Sequence, residues 1–341
     1  MGFTKVRADP APAISVVLPF RDAGATLDDA LRSIEGQTLH RFECLLIDNG
    51  SVDSSTAVAR DAASRDARFR LLQADGGLVG ALNAGIAQAR APWIARMDAD
   101  DLAHPARLER QLAALHADPS LAVIGCLVEA FSATGVGEGL RRYVTWLNGL
   151  CTPAAIRAAL FIESPIAHPS AVIRRSALTA VGGYRDSAGP EDYDLWLRLL
   201  LRDYRAAKVP DVLLAWRDSP QRLSRTDARC HRRRFFETKV AHFPTALPPG
   251  TPLQICGAGA TGRAWARALR ARGYPVRRFI DVAARRIGRS VAGAPVDAPS
   301  ALCHADGFVL AAAGTRGARE AIEEWLQARG LRPWDDYLAV A

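Results

Sequence analysis

Four short runs rich in apolar and β-branched residues, "ISVVLPF", "FECLLIDNG", "FRLLQ" and "PWIARMD", alternate with stretches of helical periodicity. The intervening stretches are "ATLDDALRSIEGQ", residues around 53 to 66 and residues around 78 to 90. A βαβαβαβ order of this kind calls for a mostly parallel sheet with helices on both faces, so the expected class is α/β. Ligands of such sheets bind beyond the carboxyl ends of the strands. The polar residues that follow the strands therefore matter most: Phe20 and Arg21, Asp48 and Asn49, Asp75, and the aspartates of "RMDADDLAH" at 96 to 104.

Further along, Pro105 can start a helix with Leu108, Leu112 and Leu115 on one face, and "LAVIGCLVEAF" reads as a buried strand. Residues 132 to 170, including "RRYVTWLNGL" and "SPIAHPSAVIRR", read as loops and short elements over the strand ends. "GPEDYDLWLRLLLR", 189 to 202, reads as a helix with Pro190 near its first position and Leu195, Trp196, Leu199 and Leu200 on an apolar stripe. That places Glu191 and Asp192 in its first turn. "FPTALPPGTP", 243 to 252, marks a linker, after which a strand, a helix and further strands follow. At 341 residues the chain exceeds the usual size of one core. The expected domains are 1–242, a linker at 243–252, and 253–341.

Composition excludes several classes. With 49% hydrophobic and 23% charged residues the chain is ordinary for a globular protein. The formal charge of +8 favours phosphate-bearing partners, yet only Lys5, Lys208 and Lys239 are lysines, and an arginine excess can reflect codon bias. The densest basic run, 222 to 236, lacks interleaved aromatics and matches no nucleic-acid motif; it reads as a solvated helix, with peripheral membrane contact as the second reading. The six cysteines are scattered, without CxxC or zinc spacing, which fits a reducing cytoplasm. No signal-peptide core precedes Pro19 and no run of about 20 apolar residues occurs, so no membrane span is expected.

Asp98, Asp100 and Asp101 fall within four residues directly after "APWIA". Carboxylates this close raise one another's pKa, so the cluster calls for a cation, strong donors or open solvent. A helix N-cap uses one acceptor and accounts for one aspartate of the three. A hard divalent ion such as Mg²⁺ or Mn²⁺ takes oxygen ligands and is held by one or two carboxylates plus substrate phosphates. The metal is the favoured reading, with cap and wet loop still open.

The order and spacing of "ISVVLPFRDAGATLDDALRSIEGQTLHRFECLLIDNGSVDSS", "MDADD" and "GPEDYDLWLRL" resemble family 2 glycosyltransferases with the GT-A fold, over roughly the first 240 residues. The resemblance implies a nucleotide-sugar donor, a UDP-sugar first, and a glycan, lipid-linked or related acceptor in cell-surface polysaccharide synthesis. It implies that Pro19, Phe20 and Arg21 cradle the nucleotide while Asp48 and Asn49 read base and ribose. Asn49 stands where the family more often has a second aspartate, and keeps an acceptor without charge. Asp98 and Asp100 match the DxD pair, with Asp100 on the metal, Mn²⁺ or Mg²⁺, and Asp98 near the sugar or ribose as well. Such a cation stabilises the departing diphosphate. Asp192 is by the same resemblance the general base of an inverting displacement, and Glu191 orients it or completes the helix cap. His168 and Trp216 fall on the acceptor side and Arg217 toward the diphosphate. His104 reads as a helix-start residue and Trp196 as core.

Past the linker, "CGAGATG" sets Gly257, Gly259 and Gly262 in GxGxxG spacing between strand and helix, and Asp281 ends the next strand. That is the setting of a dinucleotide fingerprint, although about ninety residues make only half of a full dinucleotide fold. "FIDVAARRIGRSVAGAPV" also resembles small Rossmann-like modules attached to sugar-modifying enzymes. A structural or regulatory module is the first reading and NAD(P) binding the second. Three alternatives compete with glycosyl transfer. A nucleotidyltransferase needs a basic glycine-rich first loop, which "FRDAGATLDD" lacks. An NAD-dependent sugar-modifying enzyme would rest on the second domain, and a non-catalytic glycan-binding or scaffold protein would show no turnover.

Overall fold

The computed structural model describes residues 11–220, 222–315 and 317–341, so most of the N-terminal stretch read for a signal peptide lies outside the described residues. The chain forms two compact units. One takes the chain up to 153 with 166–187 and 194–227; the other takes 154–165, 188–193 and 228–341.

The first unit is built on an eight-stranded sheet. Its strands are β1 (Ile14–Phe20), β2 (Phe42–Asp48), β3 (Phe69–Gln73), β4 (Trp93–Arg96), β5 (Leu102–Ala103), β6 (Leu121–Phe131), β7 (Val172–Arg174) and β8 (Arg205–Arg217). They lie in the order β3-β2-β1-β4-β7-β6-β8-β5. β1, β2, β3 and β4 are mutually parallel. β7 enters antiparallel between β4 and β6, β6 and β8 run parallel, and β5 pairs antiparallel with β8. Every residue of β1 and β2 is buried, as a strand covered on both faces requires. The helices Leu27–Glu35, Ser55–Arg65, Gly77–Gln88 and Arg107–Ala117 fall where periodicity puts them, and Leu108, Leu112 and Leu115 are buried as one stripe.

Three local features depart from the sequence expectation or go beyond it. Residues Glu138–Asn148 form an 11-residue helix where loops and short elements are expected. Leu147 is buried in the core, and Tyr143, Val144 and Trp146 pack against it, a pattern hidden in sequence by Gly135, Gly137 and Gly139. β8 is 13 residues long and runs through Pro210. The register with β6 skips from Val209 to Val212, so the proline falls in a bulge that needs no N–H. The helix Arg232–Ala246 continues through Pro244 into the expected linker. A proline this near the helix end removes one bond with little left to disrupt.

The second unit carries a six-stranded sheet of β9 (Leu253–Cys256), β10 (Val276–Ile280), β11 (Ser290–Val291), β12 (Ala294–Asp297), β13 (Phe308–Ala311) and β14 (Tyr337–Ala339). The order is β11-β12-β10-β9-β13-β14, parallel except for the β11/β12 hairpin. Among the described residues no helix is long and apolar enough to cross a membrane.

Candidate active site

Strand register brings the first group of candidates to one edge of the first sheet. Phe20 lies beside Asp48, and Val17 beside Arg96, so Asp98, two residues on, arrives level with Pro19. The loops after β1 and β2 are latched together. Ser51 Oγ and Ser55 Oγ accept the backbone N–H groups of Asp22 and Ala23, Asp53 Oδ2 accepts that of Gly24, and Asp22 Oδ1 accepts that of Val52. Asn49 donates its N–H to the carbonyl of Phe20 at 2.9 Å. The Arg21 side chain is largely exposed, and it lies 3.7 Å from Asp22.

Asp48 is buried, and its carboxylate is engaged by its own chain: Ser51 N–H donates to Oδ1 at 2.9 Å and Thr56 Oγ1 to Oδ2 at 2.6 Å. Burial pushes its pKa up, but the Thr56 and Ser51 hydrogen bonds outweigh burial and hold it below the usual carboxylate value. Asp48 thus shapes the loop after β2. Ser51, Asp53, Ser55 and Thr56 act with it: the segment that contains the first three carries part of the family resemblance, but no role is read from the sequence for any of the four.

The aspartates follow β4. Asp98, Asp100 and Asp101 each offer a carboxylate oxygen within 4.8 Å of the others. Asp98 pairs with the buried Arg96 guanidinium. Burial first, then the Asp98 charge, lifts the Asp100 carboxyl to about 6, with Arg222 and Arg217 acting against the rise. Asp101 is 1% exposed, and burial with both neighbouring carboxylates pushes its pKa well above normal. Its Oδ2 is buried without a hydrogen-bond partner. Convergent oxygens, mutual repulsion and an unsatisfied buried carboxylate oxygen are the donor set that a hard divalent cation fits.

The cluster is braced from two sides. The main-chain N–H of Arg217 donates to Asp101 Oδ1, its Nε donates to the Asp100 carbonyl, and its guanidinium lies 4.5 Å from the Phe131 ring centroid. Arg217 therefore braces the aspartate loop. Below, the fully buried Arg107 donates to the Arg96 carbonyl at 2.8 Å and to Gln111 at 3.2 Å, while Gln111 donates to the carbonyls of Ile124 and Ser170. Nothing in the sequence marks Arg107 as more than a helix surface residue.

Trp216 is buried, its ring 3.8 Å from the Arg222 guanidinium carbon and 6.3 Å from the Tyr143 ring. His104 accepts the Ala106 N–H through Nδ1, the helix-start role expected of it. His168 is not on an open face. It is buried, with Nε2 2.7 Å from Tyr184 Oη and its ring 6.2 Å from Trp196, and burial depresses its pKa well below normal. The ring of His168 is thus engaged within the chain, by Tyr184 and Trp196. Trp196 is core.

In the second unit Asp192 lies in the first turn of the helix Glu191–Leu200 and is half-buried. Its Oδ1 accepts the Tyr193 N–H at 2.7 Å. Burial, then Glu191, raise its pKa to about 7, with Glu163 adding and the Tyr193 N–H opposing. Glu191 Oε2 lies 3.8 Å from Arg229. A Cβ at Gly189 would lie 2.0 Å from Thr238 Oγ1, so only glycine lets the helix start pass this close to Arg232–Ala246.

A family model described as "Glycosyl transferase family 2" matches residues 15–182, a span that contains Asp48, Asp98 and Asp100 and ends before Asp192. The amylovoran biosynthesis glycosyltransferase AmsE of Erwinia amylovora is 31% identical over 204 residues, 59% of this chain and 74% of that protein. The chain belongs to glycosyltransferase family 2. A further relative is the UDP-Gal:alpha-D-GlcNAc-diphosphoundecaprenol beta-1,3-galactosyltransferase of Escherichia coli, 27% identical over 222 residues, 64% of this chain and 78% of that one. Among solved structures, S. aureus TarS 1-349 in complex with UDP-GlcNAc superposes with a TM-score of 0.55 at 15% identity. The match covers 69% of this chain and 66% of that one, just under two thirds. At this identity the likeness bears on fold alone, and the family 2 chain has a fold of the GT-A type.

Proposed function

We propose that this family 2 enzyme is an inverting, metal-dependent glycosyltransferase, taking a sugar from a nucleotide-sugar, a UDP-sugar first, to a hydroxyl of a glycan, lipid-linked or related acceptor in cell-surface polysaccharide synthesis. The observation that carries the reading is the convergence of Asp98, Asp100 and Asp101 within 4.8 Å where β4 ends. The names of the Erwinia and Escherichia relatives support the acceptor class.

Asp100 and Asp98 would hold a divalent cation, Mn²⁺ or Mg²⁺, with Asp101 behind them. When bound, such a cation neutralises charge gathering on the leaving diphosphate. Pro19, Phe20 and Arg21 wall the nucleotide, Asp48 fixes the loop, and Asn49 presents an amide to base or ribose. Arg217 keeps the aspartate loop in place as charge develops.

Asp192 accepts the proton of the acceptor hydroxyl. The hydroxyl oxygen forms its bond to the anomeric carbon as the carbon–oxygen bond to the diphosphate breaks, the electron pair leaving with the diphosphate. Attack from the opposite face inverts the centre, and Asp192 later returns its proton to solvent. A carboxyl with a pKa of about 7 is matched to this task near neutral pH.

The test is nucleotide release from a panel of nucleotide-sugars, with and without Mn²⁺, for wild type and Asp100→Ala. Metal-dependent release from one donor should fall by about 100-fold or more in the variant. Equal release without metal would refute the mechanism.

A further inference from the structure

The second unit carries an open cavity of about 630 Å³, a size typical of small-molecule sites. Its lining includes Cys256 at the end of β9, Ile280 at the end of β10, and Ala312 to Thr315 after β13. β9 pairs in parallel with β10 on one side and β13 on the other, and the chain visits β10 and β12 before crossing back to β13. The cavity therefore sits at the carboxyl ends of the strands where the strand order reverses, the place where open parallel sheets form a ligand crevice.

The three glycines of "CGAGATG" separate by cause. Gly257 has φ +109°, a conformation reserved for glycine. A Cβ at Gly262 would lie 1.9 Å from the Gly257 carbonyl oxygen. Gly259 has φ −74°, and a Cβ there would meet no atom within 4 Å. Neither backbone nor packing calls for glycine at 259, yet the residue lines the cavity. Its bare backbone leaves space for a group to approach closely.

The lining states which group. Gly259, Ala260 and Thr261 open the helix Ala260–Arg270, whose unpaired N–H groups favour phosphate. Pro299, Ile322 and Trp325 add an apolar wall that suits a base. Asp281 does not present a free carboxylate to a ribose. Its Oδ2 accepts Ala258 N–H and Arg286 Nη1, and its Oδ1 accepts Ala283 N–H, each within 2.9 Å. The acid is spent on the loop and on Arg286, which lines the cavity beside it.

We propose that this cavity is a second nucleotide site, binding a nucleoside diphosphate with its phosphates at Gly259–Thr261, and not a hydride-carrying dinucleotide. The test titrates the full chain calorimetrically, in chelator, with ADP, UDP, NAD⁺ and inorganic phosphate. ADP or UDP should bind at least about 10-fold more tightly than inorganic phosphate. Gly259→Ala should weaken that binding by about 10-fold or more while leaving Tm within about 2 °C. Ala321→Phe, which fills the cavity from an exposed helix position, should weaken it likewise. A preference for UDP would make the ligand the transfer product, and a preference for ADP a separate effector. Binding no tighter than phosphate, binding indifferent to both variants, or NAD⁺ about 10-fold tighter than either diphosphate would overturn the proposal.

Discussion

The main-chain N–H of Arg217 donates to Oδ1 of Asp101 at 2.8 Å, tying the end of β8 to the loop after β4 across 116 residues of sequence. The side chain adds a bond of 2.6 Å to the Asp100 carbonyl. Arg217→Ala keeps the first bond and loses the second. Mn²⁺ affinity should fall by about 10-fold, as for other residues that orient ligands, with little change in folding stability. Paired metal titration and urea unfolding check this.

Asp101 is a buried acid with one oxygen unpartnered beside two other carboxylates. Asp101→Asn preserves the acceptor for Arg217 and removes a like charge. In chelator the variant should be more stable than wild type by about 1 kcal/mol, with metal binding weakened, the usual exchange of stability against function. Urea unfolding in chelator and with Mn²⁺ measures both.

Asp192 should set an acid limb in the pH profile. With a carboxyl raised to about 7, the base is protonated below that pH and kcat should fall about tenfold per unit. Glu191 is the largest charge cause after burial, so Glu191→Gln should shift the limb to lower pH. The same raised pKa costs stability as pH rises through about 7, because the folded state holds a proton that the unfolded chain has released. A limb near the ordinary carboxylate range would remove Asp192 from this role.

Arg107 supports the strand end from beneath. Arg107→Met keeps much of the volume but leaves the Arg96 carbonyl without this buried donor, which should cost about 2 kcal/mol in urea unfolding.

The strands of the first unit were legible because β1 and β2 are buried on both faces and so apolar throughout, and the helices between them repeat cleanly. Their order also made the aspartates conspicuous, since a strand of a parallel sheet points at its ligand. What sequence concealed depends on long-range partners. β7 enters antiparallel, and β8 crosses a proline, because β6 lies alongside both. Arg107, a helix residue by pattern, is read as a brace only once Arg96 lies beside it. His168 is a further case: the family resemblance gave it an acceptor-side place, and its burial and its bond to Tyr184 depend on a residue 16 positions away that no local pattern marks.

The most direct measurement is Mn²⁺ binding in the presence of UDP, followed together with sugar transfer, for wild type and Asp100→Asn. The account predicts one metal-dependent site whose affinity drops by about 10-fold or more in the variant, with transfer abolished in chelator. Unchanged Mn²⁺ affinity in Asp100→Asn, or transfer at the full rate in chelator, would contradict it.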